Sequence, residues 1–418
     1  MKDPNADRPG YREARIGWVP ASWDERTLSQ VGTFCKGRGI PNESKRPTGL
    51  PCITYGDIYT KYSEVTSSFA SFVDDSTALR SQEIRQDALL FASSGETLDE
   101  IGKCVAYVGP SPAYAGGDII VFSAPEHNSS YLSYLLNSDY IVRYRRRLGQ
   151  GNSVVHIYAD GLSSLTVVLP PPPEQEKIAA ILSTWDDAIE TTRDLISAKK
   201  QQKKVLMQQL LTGKRRLTGF TADWLSLLYS DLFKRIVRPT ALEPTTRYRL
   251  VSIRRRGGGL FDRAHSLPSE IAYAELNSLR AGDFIVSKRQ ATHGAITVVT
   301  PRFSGAYVSN EYTIFERLPG SDLSMGFFVW LTQDRHMWHQ AYVSSNGVHI
   351  EKLIFDPKHF LRQRIRIPPT SDEQRAIAQV LDAAEAEVKS LEEKFAALQK
   401  QKKGLMQKLL TGQVRVKG

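Results

Sequence analysis

Pro170-Pro-Pro-Pro-Glu174-Gln175-Glu-Lys-Ile178-Ala179-Ala-Ile-Leu182 returns 199 residues later as Pro369-Thr-Ser-Asp-Glu373-Gln374-Arg-Ala-Ile377-Ala378-Gln-Val-Leu381. The match runs without a gap to Gly213 on Gly412, and 17 of its 44 positions are identical. It closes on its strongest block, Gln202-Lys203-Lys204-x-Leu206-Met207-Gln208-x-Leu210-Leu211-Thr212-Gly213 against Gln401-Lys402-Lys403-x-Leu405-Met406-Gln407-x-Leu409-Leu410-Thr411-Gly412. An ungapped repeat of this length marks a duplicated structural element.

Both copies read as long helices. Prolines lead into each, which favours an extended approach, and Pro173 stands where a first-turn residue needs no N–H. Ser371-Asp372-Glu373-Gln374 has the spacing of a capping box, and Gly213 and Gly412 sit where a helix ends in a left-handed residue. A seven-residue period fills the interior. One seam of the first copy is Leu182, Ile189, Ile196, Lys203 and Leu210, the other Ile178, Trp185, Thr192, Lys199 and Leu206. The second copy gives Leu381, Val388, Phe395, Lys402 and Leu409, with Ile377, Ala384, Leu391, Leu398 and Leu405. Five heptads with apolar seams predict a coiled coil, and the simplest partner for each helix is the other copy, antiparallel. Lys203 and Lys402 are expected to weaken the seam and to snorkel outward.

The segments outside the helices are faintly related. Gly17-Trp18 and Trp23 open one, Gly219-Phe220 and Trp224 the other. Asp87-Ala-Leu-Leu-Phe-Ala and Asp283-Phe-Ile-Val-Ser read as matched strands, as do Gly102 to Val108 and Gly294 to Val299. Asn and Gly precede Val155-His156-Ile157 and Val348-His349-Ile350. Short β-branched runs between Gly, Ser and Asn turns, with one helical stretch apiece (Ser130 to Arg147; Met325 to Val343), predict a mixed α/β fold. The expected organisation is a polar tail over 1–15, a first domain over 16–169, a helix over 170–217, a second domain over 218–367, and a helix with its tail over 368–418. Antiparallel pairing of the helices implies a pseudo-two-fold arrangement.

The whole chain has 418 residues, 55 Lys and Arg against 45 Asp and Glu, and a formal charge of +10, a sign that suggests a polyanionic partner. At 41% hydrophobic and 24% charged residues it is an ordinary globular composition. No run approaches 18 apolar residues and residues 1–17 lack an apolar signal core, so a cytoplasmic protein is expected. Cys35, Cys52 and Cys104 have neither disulfide-framework nor zinc spacing, and no metal site is expected.

Motifs of catalysis are missing from the sequence. Gly95 to Cys104 has the wrong spacing for a phosphate loop, and HExxH, GxSxG and an Asn/Asp-Pro-Pro-aromatic box are absent. What remains is basic and polar loop chemistry suited to DNA, since Arg and Lys match guanine edges and phosphates while Asn, Ser and Thr match adenine edges and backbone. In the first domain the candidates are Lys36, Arg38, Lys45, Arg46, Ser93, Ser94, Thr97, Lys103 and Asn152. In the second they are Arg254, Arg255, Arg256, Lys288, Arg289, Thr292, His293 and Asn346. Two domains whose loops differ would read two different half-sites.

The layout resembles the specificity (S) subunit of type I restriction-modification systems. The residues that carry the resemblance are Leu169-Pro170-Pro171 with Glu174-Gln175-x-x-Ile178, Ile367-Pro368-Pro369 with Glu373-Gln374-x-x-Ile377, the Leu-Leu-Thr-Gly closures, and Asp283 to Lys288 with Gly294-Ala295. The resemblance implies two target-recognition domains reading a split, asymmetric site in double-stranded DNA. It implies helices that dock two methyltransferase subunits, with restriction subunits completing an ATP-dependent nuclease. It also implies a chain that is not itself an enzyme, with S-adenosylmethionine, ATP and Mg²⁺ on partner chains. Two other readings compete: the specificity portion of a type II-like single-chain enzyme, and a coiled-coil scaffold that never touches DNA.

Overall fold

A computed structural model describes residues 6–151, 153–271, 275–349 and 352–416. The chain divides into two compact units, the first made of Met1–Arg193 with Lys394–Gly418, the second of Asp194–Glu393. Each unit therefore holds a globular domain together with the start of one long helix and the end of the other. Those helices run from Pro172 to Leu210 and from Ser371 to Leu410.

In the first unit a five-stranded sheet orders Thr33–Lys36, Ile119–Ser123, Ala88–Ala92, Cys104–Tyr107 and Val65–Thr66, antiparallel except at the last pair. A four-stranded sheet orders Ser71–Val73, Leu50–Ile53, Ala113–Ala115 and Gln82–Ile84, with its central pair parallel. Asp24–Thr27 pairs with Thr166–Leu169 and ties the entry of the domain to its exit. Ala88–Ala92 is buried at every position because sheet neighbours cover both of its edges and hydrophobic clusters cover both faces. From Tyr11 the stretch read as a polar tail becomes a hairpin, Tyr11–Ala14 on Gly17–Pro20.

The second unit repeats the plan. Phe233–Ile236, Tyr312–Arg317, Phe284–Ser287 and Ile296–Val298 take the order of the first four strands of the first unit's larger sheet. Leu276–Ser278, Tyr307–Ser309, Tyr248–Ile253 and Leu260–Ser266 match the smaller sheet, including the parallel pairing at its centre. Leu225–Leu228 on Arg364–Ile367 closes the domain as its counterpart does. The faint sequence likeness of the domains is thus a shared topology. Each single helical stretch expected from the sequence is instead two helices, Ser129–Leu136 with Asp139–Arg145 and Met325–Leu331 with Arg335–Val343. The break falls where a side chain competes for backbone bonds: Asn137 bonds both N–H and C=O of Cys104, and Asp334 accepts from the His336 N–H.

The expected capping box does not form. Thr370 Oγ1, not Ser371, faces the Glu373 N–H, and Gln374 reaches into the domain to bond the Ser324 N–H and the carbonyls of Asp322 and Pro368. Gln175 does the same with the Asn128 N–H and the Pro170 carbonyl. These glutamines start the domain's helix and the long helix together. Both helices end at a left-handed glycine, Gly213 at φ 70° and Gly412 at φ 67°. Beyond it the Arg215 N–H returns to the Gln209 carbonyl and Val414 to Lys408, each at 3.1 Å. A Cβ on Gly412 would lie 2.3 Å from Pro20 Cδ, so packing as well as φ demands glycine there.

Candidate nucleic-acid interface

The second domain gathers two of the basic loops predicted from sequence. The Arg256 N–H donates to the His293 carbonyl at 2.8 Å and the Gly257 N–H to the Gly294 carbonyl at 2.9 Å. These bonds join the Arg254 to Gly259 turn to the Ala291–His293 turn. Arg256 itself adopts φ 58°, a left-handed conformation costly for a non-glycine residue, and Gly294 at φ 71° lies against Trp338, where a Cβ would come within 2.7 Å. Arg254 lies over the Phe261 ring at 4.8 Å, while Arg255 stands exposed. Gln290 Oε1 and Thr292 Oγ1, in this turn, are buried without a hydrogen-bond partner. Beside it Lys288 Nζ donates to the Asn310 carbonyl, Arg289 pairs with Glu311 at 2.7 Å, and the Phe355 N–H bonds the Lys288 carbonyl. Asn346, exposed, faces Ile354 in the small ladder that ends at Phe355.

In the first domain the candidates separate into two groups. Lys36 and Arg38 are exposed on a strand end and the turn after it, which bonds the backbone at Ile119, Ala115 and Gly117. Arg46 is exposed 3.7 Å from Asp74, and Thr97 bonds Glu100 in an exposed loop. Ser93 is half-buried, its backbone tied to Asp118 and Ile157. Lys45, Ser94 and Lys103 turn inward. Lys45 bonds Thr54 and the buried Asp57, Ser94 Oγ lies 3.0 Å from His156 Nδ1, and Lys103 caps the carbonyls of Ile58 and Tyr62. Burial holds the Lys103 ammonium below its usual pKa. All three side chains are bonded within the domain. Asn152 lies outside the described residues.

Sequence reasoning missed a site at the ends of the long helices. In the first unit Glu174 accepts from Trp23 Nε1 at 3.1 Å and from Arg415 Nε and Nη2 at 2.7 and 2.8 Å. In the second, Glu373 accepts from Trp224 Nε1 at 3.3 Å and from Arg216 at 2.7 and 2.9 Å. The signal was present: Arg216 and Arg415 are separated by the same 199 residues as the repeat. Around these contacts Ile178, Leu182, Leu405 and Leu409 join the core of the first unit, and Leu206, Leu210, Ile377 and Leu381 that of the second. Ile189 and Val388 are buried, whereas Trp185, Ile196, Leu391, Phe395 and Leu398 are half-buried. The heptad therefore faces inward along the length of both helices and is most deeply covered beside a domain.

Antiparallel pairing is present in each unit, with Lys199 on Glu387 at 2.7 Å in the second and Lys402 on Asp186 at 2.5 Å in the first. The lysines expected to snorkel do the opposite. Lys402 keeps 8% of its side-chain surface exposed and Lys203 meets Glu385 across the seam, because a carboxylate on the facing helix makes burial cheaper than escape.

Among the described residues no helix is long and apolar enough to cross a membrane, and no group of three or more His, Cys, Asp or Glu could hold a metal ion.

Residues 20–199 match the family described as type I restriction modification DNA specificity domain. A search of curated proteins finds no match. Among solved structures, a type I restriction-modification system S subunit from M. genitalium superposes at TM-score 0.59 with 12% identity, covering 98% of this chain and 99% of that one. A structure from work on complex assembly and conformational transition of the type I R-M system gives 0.56 with 16% identity over 95% and 99%. With a repeated domain, a repeated helix and matched closures at both helix ends already in view, residues 20–199 are similar to the type I restriction modification DNA specificity domain, and the chain shares the two-domain, long-helix fold of these solved structures.

Proposed function

We propose that this chain is the DNA sequence-specificity subunit of a type I restriction-modification complex. Its two domains bind the two halves of a bipartite, asymmetric site in double-stranded DNA, and its helices dock methyltransferase and restriction subunits. The chain performs no catalysis. The adenine methylation and ATP-dependent cleavage belong to partner chains, which bind S-adenosylmethionine, ATP and Mg²⁺.

The observation that carries this reading is the repeat of one topology with unlike loops. Four strands of each sheet and the helix closures match in order between the two domains, while the turn that presents Arg254 and Arg255 in one has no arginine-rich counterpart in the other. Duplication that keeps the scaffold and varies the contact loops suits two readers of two sequences. Exposed Lys36, Arg38 and Arg46 on one domain and exposed Arg254, Arg255 and Arg289 with half-buried His293 on the other supply base-edge and phosphate contacts.

Recovery of bound duplexes from a random pool, with the methyltransferase partner present, tests this. Arg254→Ala with Arg255→Ala is expected to relax one half of the recovered site and leave the other intact. Relaxation of both halves, or of neither, contradicts the assignment of one half-site to each domain.

A further inference from the structure

Two of the interhelix ion pairs are equivalent by the repeat. Lys402 meets Asp186 in the first unit and Lys203 meets Glu385 in the second. Both members of one pair lie 199 residues from their counterparts in the other, so the duplicated helices carry the same lysine and the same acidic position. In each case the two residue numbers add to the same total, which defines a single antiparallel alignment. Lys402 is the more deeply held. It also bonds Glu64 at 2.8 Å and lies 5.1 Å from the Tyr134 ring centre, while the Tyr134 hydroxyl donates to Asp186 at 2.6 Å.

An apolar heptad seam tolerates a slip of seven residues, because each knob finds a similar hole one heptad on. The lysine pairs resist it. A slip in one direction leaves Lys203 opposite another carboxylate, Glu392, but sets Lys402 against Arg193 and Lys199 against Lys394. A slip in the other sets Lys402 against Ala179 and Lys203 against Ala378, leaving two ammonium groups unpaired in the seam.

We propose that Lys203–Glu385 and Lys402–Asp186 are the register-determining contacts of the helix pair, an inference that does not depend on the function proposed above.

Thiol cross-linking of the full chain with Cys35→Ser reads the register without DNA. Lys199→Cys with Glu387→Cys reports the native alignment; Lys199→Cys with Lys394→Cys, or with Val380→Cys, reports the two slips. Replacing both pairs by Met and Leu (Lys203→Met, Glu385→Leu, Lys402→Met, Asp186→Leu) should leave a helical chain that cross-links at a slipped position as well as the native one. Lys203→Arg with Lys402→Arg should give the native cross-link alone. A folded apolar variant that still gives only the native cross-link overturns the proposal. Should that variant not fold, Lys203→Glu alone decides: native cross-linking falls several-fold and returns when Glu385→Lys is added, whereas an unchanged yield overturns the proposal. Absence of DNA protection by the unmodified chain with its methyltransferase partner bound would sink the function and leave the register standing.

Discussion

Glu174 and Glu373 illustrate how much one carboxylate can hold. Each takes an indole N–H and a bidentate guanidinium, and each is nearly buried, so removing its charge leaves an arginine facing a neutral amide. Glu174→Gln and Glu373→Gln are each expected to lower stability by about 2–3 kcal/mol, below the value for a fully buried pair because Arg415 and Arg216 keep some contact with water. Thermal or urea unfolding checks this, and a change under about 0.5 kcal/mol would contradict it. Asp57 behaves differently with pH. Burial by itself pushes its carboxyl up, but hydrogen bonds from Lys61, Lys45 and Thr54 outweigh that and hold it at about 2. Its folded pKa lies below the unfolded value, so its stabilisation is complete above about pH 4 and is lost as the pH falls through 2. Asp57→Asn should therefore destabilise the first domain by about 2 kcal/mol at pH 7, with the difference from the parent chain vanishing near pH 2. None of these roles was legible from residue type. A carboxylate's partners come from strands and tails that only the fold brings together, as with Trp23, Glu174 and Arg415.

The long helices were legible because their information is local and periodic. Heptad spacing, the entry prolines and the terminal glycines predicted long helices ending at Gly213 and Gly412, and helices of 39 and 40 residues end just before them. What the pattern hid was polar: a lysine at a seam position reads as a flaw until the facing helix supplies Asp186 or Glu385. The same holds for Gln374, whose spacing spells a capping box but whose amide finds better partners in the domain. If the ion pairs set the register, insertion of seven residues in only one helix, between its acidic residue and its lysine, must break a pair. Such a variant should unfold at lower temperature than one carrying matched insertions after Arg193 and after Glu393. With the methyltransferase partner bound, the matched variant should accept a spacer longer by about three base pairs, since seven residues rise ~10 Å and a base pair ~3.4 Å. An unchanged spacer would separate the helices from spacing.

At the scale of the whole molecule, a net charge of +10 over 418 residues is modest for a chain that grips DNA alone. Several of its cations are also engaged internally, Lys45 on Asp57 and Lys103 on two carbonyls among them. Binding by the isolated chain is expected to be weak and to show a shallow salt dependence, with the slope growing by about 0.9 per added phosphate contact when the partner joins. Equal slopes with and without the partner would contradict a shared grip. The duplication itself was legible at this scale, through the 199-residue offset, whereas the shared strand order of the domains needed the fold, because their loops have diverged in length and composition. The most direct test of the central claim is a footprint of the chain with its methyltransferase partner on a bound duplex. The account predicts two specific segments of unlike sequence separated by a fixed stretch whose sequence is not read. A single contiguous specific site, or no protection, would contradict it.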